Sequence, residues 1–317
     1  MLDALRHLAS FAEFAVHRED RERHDASVFR ELAAVPLALP GGLEITWLGT
    51  AGFKLNYAGQ VIYIDPYFSR VPLGALLGAK PAHPDPVRLA GFLDHPREQV
   101  LGVLVGHCHF DHAIDAPAIA RHFNVPAYGS KSLSRLMALH GAPQLAVEVE
   151  AHRRYELGPF TVSFVPSLHS KLVLGYKVPF EGEFTCEHLD ALTPSAYKCG
   201  QTWGIHIEVA GTTLYHQGSA NLIDEEIPRK TVDVFLAGVA GRRFTKNYWP
   251  RVLGRLQPRI IIASHFDDFF RPLDKPMTFS TNVNLAAVPE EIYKVSRDFS
   301  VVALQPLQGA GLPPKIP

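Results

Sequence analysis

Apolar residues recur at helical spacing near the start of the chain and at strand-like spacing from residue 43 onward. Leu5, Leu8 and Phe11 begin a helical pattern that runs to residue 34, with a charged stretch between its two apolar parts. Two prolines and two glycines between residues 36 and 42 then interrupt the pattern. We therefore predict an N-terminal helical extension over residues 1–40 and a main domain over residues 41–317.

Short β-rich segments alternate with helical ones throughout the main domain. The segments at 45–48, 53–57 and 61–64 predict a meander, and continuous apolar runs at 100–105, 232–237 and 260–264 predict buried strands. Further strands are predicted at 155–166, 203–209, 212–216 and 301–304, and helices at 113–123, 130–140, 249–256 and 289–297. β-rich units interleaved with helices in both halves predict an α/β (α+β) protein with two packed sheets covered by helices.

Composition narrows the class of protein. The 31 basic and 32 acidic residues give a formal net charge of −1, which offers no electrostatic reason to expect a nucleic-acid partner. Three cysteines are too few, and odd in number, for a disulfide framework. The N-terminus lacks a signal-peptide pattern, and no apolar run reaches the roughly 20 residues of a membrane span. We expect a cytoplasmic protein that acts on a small molecule; the sequence does not indicate an oligomeric state.

Sixteen histidines are unusual beside three cysteines, and four potential metal ligands fall within residues 107–112. This segment, His-Cys-His-Phe-Asp-His, follows the strand at 100–105 and precedes a helix. Residues two apart in an extended chain project to the same side, so His107 and His109 can converge on one ion while Cys108 points away. The turn into the helix then presents Asp111 and His112 to a neighbouring position. Surface histidines in a polar loop are the alternative, but this spacing at a strand end favours a metal site.

The hexapeptide resembles the signature of the metallo-β-lactamase superfamily. The resemblance extends from residue 43 to about 305 and implies a four-layer αββα sandwich with metals at one edge between the sheets. It also implies two open metal sites. One would be held by His107, His109 and His169, and the other by Asp111, His112 and His265.

Two further positions matter in the resemblance. Asp65, at the end of the strand at 61–64, matches an aspartate that supports the metal loop by hydrogen bonding. Ser219 stands where the family often has an aspartate that bridges the metals. A serine implies weaker occupancy of the second site and argues mildly against phosphodiester chemistry. His216 could approach the site instead, but a hydrogen-bonded strand histidine is the favoured interpretation.

The resemblance implies a hydrolase with two Zn²⁺ ions, or with Mn²⁺ or Fe²⁺ in a weaker second site. A zinc-activated hydroxide would attack the substrate, and Asp111 would orient it as well as bind metal. A small ester, lactone or amide is the first choice of substrate. A phosphodiesterase or phospholipase-type hydrolase is the alternative, and a di-iron redox protein on the same fold is a second one.

Several other segments carry weaker signals. Arg242, Arg243 and Lys246 could face an anionic substrate group or form a solvated loop. Cys186, His188 and Cys199 lack a recognised metal-site spacing, so free thiols are the better interpretation. The stretch at 266–270 could support the ligand before it or form a pocket wall, and we expect residues 171–200 and the N-terminal extension to add further walls.

Overall fold

The computed structural model describes residues 17–37, 39, 42–93, 98–172, 175–281 and 283–310. Within these ranges the chain forms two seven-stranded sheets with helices against them. The predicted helical extension is represented by residues 17–34, which contain one helix; its first part, with Leu5, Leu8 and Phe11, lies outside the described residues. The division of the chain at residue 40 stays a prediction.

The elements are numbered in chain order. The helices are α1 (Arg18–Ala33), α2 (Leu73–Leu77), α3 (Pro86–Leu93), α4 (Phe110–Ala113), α5 (Ala116–Phe123), α6 (Lys131–Leu139), α7 (Tyr248–Leu256) and α8 (Val288–Tyr293). The strands are β1 (Leu43–Gly49), β2 (Gly52–Tyr57), β3 (Gln60–Ile64), β4 (Gln99–Leu104), β5 (Ala127–Gly129), β6 (Ala146–Glu148), β7 (Arg154–Leu157), β8 (Phe160–Ser167), β9 (Thr202–Val209), β10 (Thr212–Gln217), β11 (Val234–Gly238), β12 (Ile260–Ser264), β13 (Ser300–Ala303) and β14 (Gly309–Ala310).

The first sheet has the order β14-β1-β2-β3-β4-β5-β6. Its β1–β3 part is the predicted antiparallel meander, and β3 to β6 run parallel. Ala58 and Gly59 turn between β2 and β3 with φ of 52° and 81°, the conformation that a tight two-residue hairpin needs. Strands β5, β6 and β14 were not predicted, because strands of two or three residues are too short to show a period.

The second sheet has the order β13-β12-β11-β10-β9-β8-β7. Strands β10 to β13 are parallel, and β11 and β12 carry the continuous apolar runs expected of strands covered on both faces. Strands β7 to β10 are antiparallel neighbours. The carboxyl ends of β10, β11 and β12 therefore lie side by side at one edge of the sheet.

The two sheets share one apolar core. Phe53 and Ile62 of the first sheet and Phe164 and Ile205 of the second are fully buried in the same cluster. Helix α7 adds Leu253 to this cluster. A second cluster joins the first sheet to α5 and α6. The chain thus has the predicted α/β architecture, a four-layer αββα sandwich.

One predicted helix is broken in the structure. The pattern over 113–123 predicted a single helix, but α4 ends at Ala113 and α5 begins at Ala116. Asp115, at the break, is fully buried and accepts hydrogen bonds from the backbone N–H groups of Phe68 and Ser69 at 2.6 and 2.8 Å. Because these donors lie 46 and 47 residues earlier in the chain, local periodicity could not reveal the break. Among the described residues, no helix has the length and apolar character to cross a membrane.

Candidate metal centre

The six predicted ligands follow the ends of three strands at one edge of the molecule. Residues 107–112 come after β4, His169 after β8 and His265 after β12. The structure brings these side chains together in two groups, and within each group the potential ligand atoms lie within 4.8 Å of one another. The three-histidine group contains His107, His109 and His169, and the aspartate–histidine group contains Asp111, His112 and His265.

Hydrogen bonds orient the rings of the three-histidine group. Nε2 of His109 lies 2.8 Å from the carbonyl oxygen of Pro179, and Nδ1 of His169 lies 2.7 Å from that of Ser170. Since a carbonyl oxygen only accepts, these nitrogens carry the protons and the opposite nitrogens present lone pairs. Nδ1 of His109 lies 3.1 Å from Nε2 of His107. Nitrogen lone pairs therefore converge, as a cation requires.

Burial sets the charge of this group. It lowers the pKa of His107 and His169 well below the usual range, with neighbouring histidines adding to the effect. It also lowers the pKa of His109 to about 4. All three imidazoles are consequently neutral at neutral pH, which is the form that binds metal.

The aspartate–histidine group is organised by carboxylates. Nδ1 of His112 donates to Oδ2 of Asp65 at 2.8 Å, which leaves Nε2 free and 3.7 Å from Oδ2 of Asp111. Nε2 of His265 lies 3.3 Å from the same oxygen. Burial raises the pKa of Asp111, but His112 and His265 outweigh this and hold the pKa below its ordinary range. For His112, burial lowers the pKa, and the carboxylates of Asp111 and Asp65 raise it by more.

Asp65 lies where a supporting residue is expected. It is fully buried, and its second oxygen accepts from the backbone N–H of Gly106 at 2.7 Å, just before the ligand segment. Gly218, which was not predicted to belong to the site, makes room for this contact. A Cβ at that position would lie 2.8 Å from Oδ2 of Asp65 and 3.0 Å from Cε1 of His112. A glycine directly after a strand and beside Ser219 was the available signal.

Ser219 holds the loop that carries His169. Its hydroxyl oxygen accepts from the backbone N–H of Ser170 at 3.1 Å. Asn221, which was not predicted to belong to the site, donates to the carbonyl oxygen of His169 at 3.2 Å. His216 is the expected strand histidine, because it is fully buried and its Nε2 donates to the carbonyl oxygen of Ala51 at 2.9 Å.

His265 is held in an uncommon backbone conformation. Its φ is 60°, and its N–H donates to the carbonyl oxygen of Thr50 at 2.7 Å. Thr50 also has a positive φ, 51°, and its own N–H donates to Oδ1 of Asp267 at 2.8 Å. Asp267 in turn pairs with Arg70 at 2.8 Å. The sequence carries no local signal for Arg70, because it lies 197 residues from Asp267.

Both groups open on a cavity of about 590 Å³. Its walls include Phe269 and Phe270, from the stretch at 266–270, and Asp267 next to them supports the ligand loop. Phe180 and Arg18 come from the two regions expected to add walls.

The structure also places the cationic residues and the cysteines that carried weaker signals in the sequence. Arg242 does not face the site: it is buried, and its Nε donates to Glu291 at 2.6 Å. Arg243 and Lys246 are exposed, and none of the three cations belongs to the described lining of the cavity. The three cysteines are free thiols, as expected. The side chain of Cys108 is buried and lies 3.7 Å from the hydroxyl of Ser130, pointing away from the ligands.

Comparison with known proteins places this site in a family. The model of a "Beta-lactamase superfamily domain" matches residues 44–265, which include both ligand groups. The chain belongs to the metallo-β-lactamase superfamily. Within this superfamily, a metal-dependent hydrolase from Anaeromyxobacter dehalogenans is 29% identical over 251 residues, covering 75% of this chain and 79% of the relative. One from Archaeoglobus fulgidus is 24% identical over 261 residues, covering 79% and 94%.

Solved structures share the fold of this superfamily member. Igni18, a metallo hydrolase from Ignicoccus hospitalis, is 17% identical to this chain with a TM-score of 0.53. The match covers 84% of this chain and 97% of the Igni18 chain. CmlA, a di-iron β-hydroxylase from Streptomyces venezuelae, is 14% identical with a TM-score of 0.54, covering 86% of this chain and 55% of its own. The comparisons support a metal-dependent hydrolase of the metallo-β-lactamase fold.

Proposed function

We propose that this superfamily member is a hydrolase that works with two zinc ions, one in each ligand group. The convergence of five imidazoles and one carboxylate into two triads carries the proposal. Three protein ligands for each ion leave a coordination position open, as catalytic zinc sites do. The groups are adjacent, since the ring centroids of His107 and His112 lie 3.8 Å apart.

The residues around the ions would have distinct tasks. A bound zinc pair polarises a carbonyl oxygen and lowers the pKa of water from about 15.7 towards 7. Asp111 would bind the ion in the aspartate–histidine group. It would also accept a hydrogen bond from the attacking water and so orient it. Asp65 would fix the ring orientation of His112, and Ser219 would hold the loop of His169.

An uncharged ester, lactone or amide is the substrate class that the cavity favours. Sites that transfer phosphoryl groups commonly place arginine or lysine against the phosphate oxygens. Among the described residues that line the cavity, the one arginine or lysine is Arg18, and its Nε already lies 3.0 Å from Glu22. The carboxylate bridge that the family often has is replaced by Ser219, which agrees with the same preference.

The three-histidine group favours zinc, because three imidazoles are the ligand set of one class of catalytic zinc site. The aspartate–histidine group, with two imidazoles and one carboxylate, suits zinc and iron(II) alike. The likeness to the di-iron CmlA concerns the fold alone. Elemental analysis after purification and zinc loading is expected to give two zinc ions per chain.

The decisive experiment compares turnover of a neutral ester with turnover of bis(p-nitrophenyl) phosphate by the zinc-loaded protein. Faster ester turnover is expected, and a reversed preference would favour a phosphodiesterase. The double variant His107→Ala/His109→Ala is expected to lose zinc from the three-histidine group and to lose turnover. His152→Ala is the matched control, because His152 is exposed and pairs with Glu226 at the surface. Full activity in the double variant would contradict the proposal.

A further inference from the structure

The cavity over the metal centre is lined mainly by apolar side chains from four separate segments. We name it the apolar chamber and define it by Leu73, Leu76, Leu172, Phe180, Phe269 and Phe270. Its volume of about 590 Å³ lies within the range of small-molecule sites, about 300–1,000 Å³. At about 30 Å³ for each water-sized group, it has room for roughly 20 such groups.

Apolar surface begins directly beside both ligand groups. The ring of Phe180 lies 6.2 Å from that of His109, and the ring of Phe269 lies 5.9 Å from that of His265. Phe270 extends this wall, with its ring 4.3 Å from that of Phe269. A substrate whose reacting bond lies between the two groups therefore has hydrocarbon surface next to that bond.

Helix α2 adds an apolar wall that the described part of the chain leaves uncovered. Its sequence is Leu-Gly-Ala-Leu-Leu, and none of its residues is buried. Leu73 and Leu76 line the chamber, whereas Leu77 is 78% exposed and is not among the described lining residues. Contiguous exposed apolar side chains mark interaction surfaces or ligand grooves, and the place of Leu73 and Leu76 in the wall of the chamber favours a ligand groove.

Outside the two ligand groups, the charged side chains in the described lining of the chamber have partners of their own. Arg18 pairs with Glu22, as described above, and a carboxylate oxygen of Asp268 accepts from the backbone N–H of Phe270 at 3.1 Å. Ser280 and Thr281 supply neutral polar groups. The described lining thus offers hydrocarbon contacts and no unpaired cation for an anionic substrate.

We propose that the apolar chamber binds an aliphatic chain of the substrate, so that the enzyme hydrolyses uncharged esters or amides with a medium-length chain. The hydrolytic step rests on the proposed function, whereas chain binding does not. In the ester case the acyl C–O bond breaks, the water oxygen joins the acyl carbon, and one water proton passes to the alcohol. The other proton leaves with the carboxylic acid. The chain can be carried on the acyl or the alcohol side, and the test distinguishes the two.

The first measurement is kcat/KM of the zinc-loaded protein for p-nitrophenyl esters from acetate to decanoate, beside a series of alkyl acetates. Each buried methylene is expected to raise kcat/KM by up to about fourfold until the chamber is full. A rise in the first series alone assigns the chain to the acyl side, and a rise in the second alone assigns it to the alcohol side. The absence of any rise in both series would overturn the proposal.

A matched pair of variants tests the location on one helix. Leu76→Gln is expected to lower kcat/KM for the octanoyl ester at least about tenfold relative to the acetyl ester, because a polar group then faces the chain. Leu77→Gln is expected to leave the ratio unchanged. Equal effects of the two variants would show that the chain does not lie in the chamber.

Calorimetric binding of octan-2-one, a neutral ketone without a hydrolysable bond, separates this proposal from the hydrolase itself. Binding is expected with a negative heat-capacity change, the mark of apolar burial, and Leu76→Gln should weaken it. Binding of octan-2-one without turnover of any ester would support the chamber and refute the hydrolase. Turnover of the acetyl ester with no binding of octan-2-one and no dependence on chain length would support the hydrolase and refute the chamber.

Discussion

The buried pair of Arg70 and Asp267 offers a sharp test of how the ligand loop is held. The side chains are 1% and 4% exposed, and Nη1 of Arg70 lies 2.8 Å from Oδ2 of Asp267. Arg70→Met removes the cation and leaves a buried carboxylate whose described partner is the backbone N–H of Thr50. Removing one member of a buried pair costs about 3–5 kcal/mol, because the remaining charge is uncompensated. We expect the free energy of unfolding to fall by about this amount.

The assay is urea unfolding of metal-free protein, followed by far-ultraviolet circular dichroism at pH 7.5. The control is Arg259→Met, which breaks a pair with Asp233 at 3.4 Å in which the arginine side chain is 76% exposed. Such pairs contribute at most about 1 kcal/mol. The double variant Arg70→Met/Asp267→Asn should lose less stability than the two single variants added together, because it leaves no buried charge.

The same substitution should weaken metal binding, because Asp267 holds Thr50 and Thr50 holds the backbone of His265. Residues that hydrogen-bond a metal ligand directly alter metal affinity by about 10–100-fold, and because Arg70 acts through Asp267 and Thr50 we expect the lower end of that range, about tenfold. Competition with a chelator would measure the loss. An Arg70→Met variant that lost no more stability than Arg259→Met and kept its zinc affinity would contradict this role of the buried pair.

Three further changes have definite expected outcomes. Gly218→Ala should reduce zinc bound per chain, measured by elemental analysis, because the added carbon would lie 2.8 Å from the carboxylate of Asp65; unchanged stoichiometry would contradict this. Ser219→Ala should lower stability by about 1 kcal/mol in urea unfolding, since the backbone N–H of Ser170 loses its acceptor; Ser219→Thr, which retains the hydroxyl, should lose less. Burial lowers the pKa of His140 to about 4, so the unfolded chain takes up this proton first, near pH 6.5. Stability should therefore fall as pH drops from about 6.5 to 4, and His140→Leu should show a weaker pH dependence of the urea midpoint.

Local patterns predicted much of the fold. The strands β4, β11 and β12 were predicted from continuous apolar runs, since parallel strands covered on both faces carry few polar residues. The hairpin turn at Ala58 and Gly59 could be predicted from the sequence, because a tight turn depends on only a few adjacent residues. Alternation of side chains in an extended segment likewise predicted that Cys108 would point away from its neighbours, and its side chain lies near Ser130.

Long-range contacts could not be read in the same way. Thr50 and Asp267 are 217 residues apart, and no local spacing indicates that they meet. Arg242 appeared as a candidate substrate contact because it lies in a cationic stretch, yet its charge is matched by Glu291, 49 residues later. The helix break at Asp115 has a similar cause, since its partners come from residues 68 and 69.

The order of residues by itself determined the chemistry available to this protein: imidazoles and a carboxylate at strand ends, in a spacing that lets His107 and His109 project to one side. Only the tertiary structure decided that His169 and His265 meet the segment at 107–112 in two separate groups, and that Phe180 and Phe269 flank them with hydrocarbon. The physical reason is that side-chain direction follows from a few adjacent dihedral angles, whereas proximity across the molecule depends on how both sheets pack.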